Sequence, residues 1–150
     1  MYLRDFFEPR AITLPLQAAS AADVLPELVG SLGLDPRSTQ ALLKILVRRE
    51  ELGSTGVGRG IAIPHGRSLV VNRVRLAYGH APAGFAWKSI DDRPAHHFFL
   101  IVAPPIEVSN QYLPILGKIA TFAKEVDVPD RLARLTSAEQ FLALLDEKGV

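Results

Sequence analysis

Gly53-Ser54-Thr55-Gly56-Val57-Gly58-Arg59-Gly60-Ile61-Ala62-Ile63-Pro64-His65-Gly66 is the stretch on which the fold turns. Residues 53–60 are too glycine-rich to pack as a regular element, so they read as a loop in conformations that other residues avoid. The loop runs into Ile61-Ala62-Ile63, a small buried strand, which Pro64-His65-Gly66 closes. Upstream, Asp35-Pro36 opens a helix with proline in its first turn. That helix turns Ala41, Leu42, Ile45 and Leu46 inward and Arg48 to Glu51 outward, and Gly53 ends it.

Working outward, residues 11–16 alternate, with Ile12, Leu14 and Leu16 on one side of a short half-buried strand. Ser20 is placed to cap a helix whose apolar face is Val24, Leu25, Leu28 and Leu32, before Gly33 stops it. Downstream, Val74, Leu76 and Tyr78 alternate in a further strand. An irregular stretch from Ala81 to Pro94 separates it from His96–Ala103, whose continuous apolar run reads as the centre of the sheet. Pro104-Pro105 terminates that strand. A helix over about 110–124 follows, with Leu113, Leu116, Ile119, Ala120 and Ala123 inward. The last helix starts at Ser137 with Gln140 three residues on, a capping box, and buries Phe141, Leu142 and Leu145. No repeat, linker or low-complexity tract interrupts residues 1–150, which are expected to form a single α/β domain.

The 150 residues hold 17 basic and 16 acidic side chains and no cysteine. Zinc–cysteine sites, disulfides and thiol chemistry are thereby excluded. A net charge of +1 argues against a polyanionic partner, since nucleic acid and anionic membrane require concentrated positive charge. No apolar run is long enough to span a bilayer, and Arg4, Asp5 and Glu8 break the pattern of an export signal, so a cytoplasmic protein is expected. The balance is uneven locally, for Arg48, Arg49, Arg59, Arg67, Arg73 and Arg75 face only Glu50 and Glu51 over residues 48–75.

Glycine-rich loops invite a nucleotide reading, but no Gly-Lys-Ser/Thr ending is present, and this loop precedes a strand where the dinucleotide fingerprint follows one. Of the four histidines, His96 and His97 are neighbours on a strand and point to opposite faces, so they cannot chelate one metal. His80 reads as a surface residue. His65 stands apart, held between Pro64 and Gly66 at a strand terminus. Imidazole is a nucleophile at neutral pH and a good leaving group once protonated, as a reversible phosphoryl carrier requires. Donors for a phosphate are at hand in the loop, through its backbone N–H groups, those of Gly56 and Gly58 included, and the hydroxyls of Ser54 and Thr55. Arg49 adds a planar guanidinium fork. Arg59 and Arg67 are weaker candidates, and Arg73 and Arg75 read as a solvated face. No cofactor or metal is implied.

The block from Arg49 through Ser54-Thr55-x-x-Gly to Ile61-Ala62-Ile63-Pro64-His65-Gly66 resembles the signature of the enzyme IIA domain of the phosphotransferase system, fructose/mannitol type. Phe98-Leu100-Ile101-Ala103-Pro104 is similar to that family's central strand, and the opening 50 residues to its first strand and helix pair. Among its members the chain looks most like the free-standing nitrogen-regulatory ones. The resemblance implies a mixed β-sheet flanked by helices on both sides. It also implies that His65 accepts a phosphoryl group at Nε2 from a histidine phosphocarrier protein, that Arg49 stabilises the group, and that the Ser54–Thr55 loop lines the site. A IIB domain or regulatory target proteins would be further partners.

One position departs from the pattern. The family's His-Leu-x-x-Leu at the helix after the central strand reads Tyr112-Leu113-Pro114-Ile115-Leu116 here. Tyr112 can donate a hydrogen bond to phosphate but cannot become cationic. Three functions are therefore open: a nitrogen-regulatory phosphoryl carrier, a sugar-specific IIA component that feeds a IIB domain in fructose or mannitol uptake, and a binding module that is not phosphorylated.

Overall fold

A strand covered on both faces needs no polar side, which is why the apolar run at 98–103 lies in the middle of the sheet. The computed structural model describes residues 1–150. Its strands are β1 (Phe7–Thr13), β2 (Gly56–Gly58), β3 (Ile61–Ala62), β4 (His65–Arg67), β5 (Arg75–Phe85) and β6 (Ala95–Ala103). Its helices are α1 (Val24–Gly30), α2 (Pro36–Leu52), α3 (Tyr112–Ala123), α4 (Val128–Ala133) and α5 (Ala138–Glu147). The sheet order is β1-β5-β6-β3-β2, with β4 beside β6 beyond β3. β5 runs antiparallel to β6, β3 and β4 run parallel to it, and β1 is parallel to β5. The sheet is therefore mixed.

Side chains alternate along β6 and define two layers. Phe98, Leu100 and Val102 join Val24, Leu28, Leu42 and Leu46 under α1 and α2. Phe99, Ile101 and Ala103 join Ile115, Ile119, Phe122, Phe141 and Leu145 under α3 and α5. Helices thus cover both faces of the sheet, the expected fold class.

Several local expectations are revised. β1 begins at Phe7 rather than near residue 11, because a register shift between Phe7 and Ile12 hides its alternation. The glycine stretch is not loop throughout: Gly56–Gly58 pairs antiparallel with Ile61–Ala62. The connection is a two-residue hairpin turn in which Arg59 (φ 59°) and Gly60 (φ 80°) are both left-handed, the geometry that matches strand twist. Pro64-His65-Gly66 does not close the strand either. The chain breaks at Ile63-Pro64 and resumes pairing, His65 opposite Ile101. Of the irregular stretch 81–94, residues 81–85 belong to β5.

Helix caps are mostly as read. Asp35 accepts from the Ser38 N–H at 2.8 Å, and Ser137 from that of Gln140 at 3.1 Å. Ser20 instead donates its hydroxyl to the Asp23 carboxylate, and a 3-10 turn precedes α1. Ala41 and Ile45 are exposed because α2 overhangs the sheet edge, where Ile45 and Leu46 lie against Gly66. α3 buries Ile115, Ile119, Phe122 and Ala123 and leaves Leu113 66% exposed. Helix α4, with Val128 and Leu132 buried, is too short for periodicity to announce it.

Candidate functional site

His65 owes its position to the break between β3 and β4. The Ile63 N–H donates back to Thr55 O at 3.0 Å, while Ile101 donates to Pro64 O at 2.9 Å, so the chain shifts sideways before pairing resumes. His65 shares its register with Ile101 and therefore faces the α3 side. Its ring turns back on its own chain, with Nδ1 2.7 Å from Ile63 O. A carbonyl only accepts, so Nδ1 carries the proton and Nε2 holds the free lone pair.

Two residues on, Arg67 leaves the same face of β4. Its guanidinium donates to Pro104 O at 2.7 Å and its Cζ sits 4.6 Å from the centroid of the Tyr112 ring, a cation–π pair. The Tyr112 ring in turn lies 6.0 Å from the His65 ring, tilted by 48°. Burial raises the Tyr112 phenol above its ordinary value, against the opposing pull of the positive charges of Arg67 and Arg49. Arg49 sits in the last turn of α2 and donates to Gly53 O at 2.7 Å. His65, Arg67 and Tyr112 thus form one cluster, with Arg49 at its margin.

The loop residues are engaged with one another. Ser54 donates its hydroxyl to Trp87 O and accepts from the Gly56 N–H at 3.0 Å. Thr55, 5% exposed, donates its hydroxyl and its N–H to the two oxygens of the Glu50 carboxylate. A Cβ at Gly56 would fall 2.9 Å from Ser89 Cα, and one at Gly58 would meet Ile90 and Asp91 at 3.2–3.3 Å. These glycines let the hairpin lie close against residues 89–91. Glu50 and Trp87 were missed in the sequence: one reads as helix surface and the other as part of an irregular stretch, and only the fold brings them to Thr55.

Other sequence candidates lie elsewhere. Arg59 donates to Ala123 O at 2.9 Å and Glu125 O at 2.7 Å, and so caps the C-terminus of α3. Arg75 is not solvated: its side chain, 14% exposed, reaches Glu8 at 3.2 Å and donates to Leu32 O at 2.7 Å. Arg73 is exposed and also pairs with Glu8. His80 is not a bare surface residue either, since it stacks on His97 with centroids 4.9 Å apart. His97 is 3% exposed and accepts from the Tyr78 hydroxyl at 2.8 Å. A cavity of about 570 Å³ borders the loop at Val47, Glu50, Ser54 and Trp87, and none of the His65 cluster lines it. The imidazole is half-buried. No helix is long and apolar enough to cross a membrane.

The chain is similar to known proteins over nearly its whole length. Over 146 residues, covering 97% of this chain and 95% of the relative, it is 28% identical to a nitrogen regulatory protein of Bradyrhizobium diazoefficiens. It is 26% identical, over 98% of its own length, to the fructose-specific EIIABC component of Bacillus subtilis, of which it spans only 23%. The crystal structure of nitrogen regulatory protein IIA-Ntr from Neisseria meningitidis superposes with a TM-score of 0.85 at 26% identity, covering 94% of this chain and 97% of that one. Residues 5–148 match the family described as phosphoenolpyruvate-dependent sugar phosphotransferase system, EIIA 2, and the chain belongs to that family.

Proposed function

We propose that the chain is a phosphoryl carrier that accepts phosphate on His65 Nε2 from a histidine-phosphorylated carrier protein and acts in nitrogen regulation. The observation that carries this reading is the 2.7 Å bond from His65 Nδ1 to Ile63 O, which leaves Nε2 as the only nucleophilic atom of the ring. In the step, the Nε2 lone pair forms a bond to phosphorus while the donor's P–N bond breaks. The departing imidazole keeps that electron pair and takes a proton from solvent. Such a transfer needs alignment and charge stabilisation more than new covalent chemistry.

Arg49 and Tyr112 supply part of that stabilisation, one as a cation and one as a neutral phenol donor. Ser54, Thr55, Gly56 and Gly58 act through the shape of the loop, whose Gly53 carbonyl holds Arg49. The regulatory role is supported by the likeness to nitrogen regulatory proteins in sequence and in structure. The test is incubation with phosphoenolpyruvate, enzyme I and the carrier protein. Acid-labile phosphate is expected on the wild type and not on His65→Ala, and label that persists in the variant overturns the assignment.

A second reading makes the chain a sugar-specific IIA component, favoured by its match to a fructose-specific protein whose name joins the A part to B and C parts. Onward transfer of the label to a fructose- or mannitol-type IIB domain supports it, and label retained through such an incubation counts against it. Tyr112 favours a third reading, a binding module that is never phosphorylated, which the same labelling experiment decides.

A further inference from the structure

We propose that Arg67 is the second cation of this site, held beside His65 by the Tyr112 ring and the Pro104 carbonyl, so that Arg67 and Tyr112 together do the work of a second histidine. The inference rests on the phosphoryl-carrier reading of His65 and adds a residue to it.

The geometry is specific. β4 is three residues long, and alternation sends His65 and Arg67 to the α3 side while Gly66 faces α2. The Tyr112 ring neighbours both, 6.0 Å from the imidazole and 4.6 Å from the guanidinium carbon. One of the five N–H groups of Arg67 is taken by Pro104 O at 2.7 Å, which anchors the fork at its base and leaves further donors for an oxyanion. The side chain is half-buried, so its charge acts with less screening than a free surface arginine.

Tyrosine and arginine divide what one protonated imidazole would combine. A cationic imidazole offers an N–H donor and a positive charge in one ring. Here the phenol, neutral at physiological pH and pushed further up by burial, offers the donor, and the guanidinium resting on its face offers the charge. Unlike imidazole, guanidinium stays charged at every physiological pH. When the phosphoryl group passes to Nε2, its three equatorial oxygens keep their charge throughout a loose transition state, and Arg67 is the cation on the acceptor strand itself. Arg59 cannot serve, since it is committed to the end of α3.

Single-turnover transfer from the phosphorylated carrier protein tests this on four proteins: wild type, Arg67→Ala, Arg67→Lys, and Arg67→Ala combined with Tyr112→His. Arg67→Ala is expected to slow the saturating rate at least about tenfold with little change in half-saturating donor concentration, as loss of one charged transition-state contact does. Arg67→Lys should recover most of the rate. The rate of the combined variant, divided by that of Arg67→Ala at the same pH, should rise as pH falls below about 6.5, where imidazole becomes cationic. An Arg67→Ala rate equal to wild type overturns the inference while leaving His65 as acceptor. So does a loss that Tyr112→His fails to repair at low pH, since Arg67 then only braces Pro104. A wild type that takes no label overturns the carrier reading, and this inference with it.

Discussion

His65 gives its Nδ1 proton to the carbonyl of Ile63, two residues earlier in its own chain, at 2.7 Å. The acceptor is backbone, so no rearrangement of a neighbouring side chain releases the ring. Phosphate is expected on Nε2 alone. Heteronuclear NMR of the labelled protein distinguishes the two nitrogens by their coupling to phosphorus, and coupling through Nδ1 would refute the assignment.

Arg49 is tied to the glycine loop through Gly53 O. Arg49→Gln is expected to lower the transfer rate by about tenfold to a hundredfold, the range for removing one stabilising donor. The melting temperature should change little, since the side chain makes one partly exposed bond. Arg49→Lys should regain only part of the rate, because a point charge does not replace a planar fork. A rate in Arg49→Gln equal to wild type rules out contact with the phosphoryl group.

Arg59 predicts the opposite pattern. Its guanidinium holds Ala123 O and Glu125 O, so Arg59→Ala should reduce unfolding free energy by about 1–2 kcal/mol, the worth of charge-assisted bonds at a helix end. Transfer to His65 should be unaffected. A slowed transfer with unchanged urea midpoint would return Arg59 to the phosphate site.

Acid should weaken the fold through His97. Burial, with the nearby His80 and His96 adding to it, lowers its pKa from 6.5 to about 3. The Tyr78 phenol, pushed well up by burial, keeps its proton and donates it to His97. Protons therefore bind the unfolded chain first. The stability held above pH 6.5 falls as pH drops towards about 3, with a slope from this group of up to about 1.4 kcal/mol per pH unit. His80, shifted in the same direction by burial, adds to the trend. Urea midpoints measured across this window should fall less steeply in His97→Gln than in the wild type, and equal slopes would clear His97 of the effect.

What could be read from the sequence is what is local. Asp35 and Ser137 cap their helices as their spacing announces, and the run at 98–103 is central because its composition is two-sided. The hairpin at 56–62 was hidden because its turn sets a non-glycine residue, Arg59, in a left-handed conformation that a glycine count does not reveal. Periodicity misplaces Ile45 and Leu113, which stay exposed, because the buried stripes are Leu42 and Leu46 on α2 and Ile115, Ile119 and Phe122 on α3. Within the candidate site, His65 and Arg49 stand in one short segment, so the sequence singles them out together. The pairing of Arg67 with Tyr112 joins residues 45 positions apart, and that of Trp87 with Thr55 spans 32. Such contacts follow from strand order, which no window of residues contains.

The break at Ile63-Pro64 gives this site a parity. Because neighbouring strand positions alternate, one residue removed there would exchange the two sides of β4, turning the imidazole towards the α2 side and handing its place to Gly66, and one residue added would hand it to Pro64. The composition of the segment would be almost untouched and its core still apolar. The proposed chemistry would nonetheless vanish, so what this segment must preserve is an odd or even count of residues as much as the residues themselves.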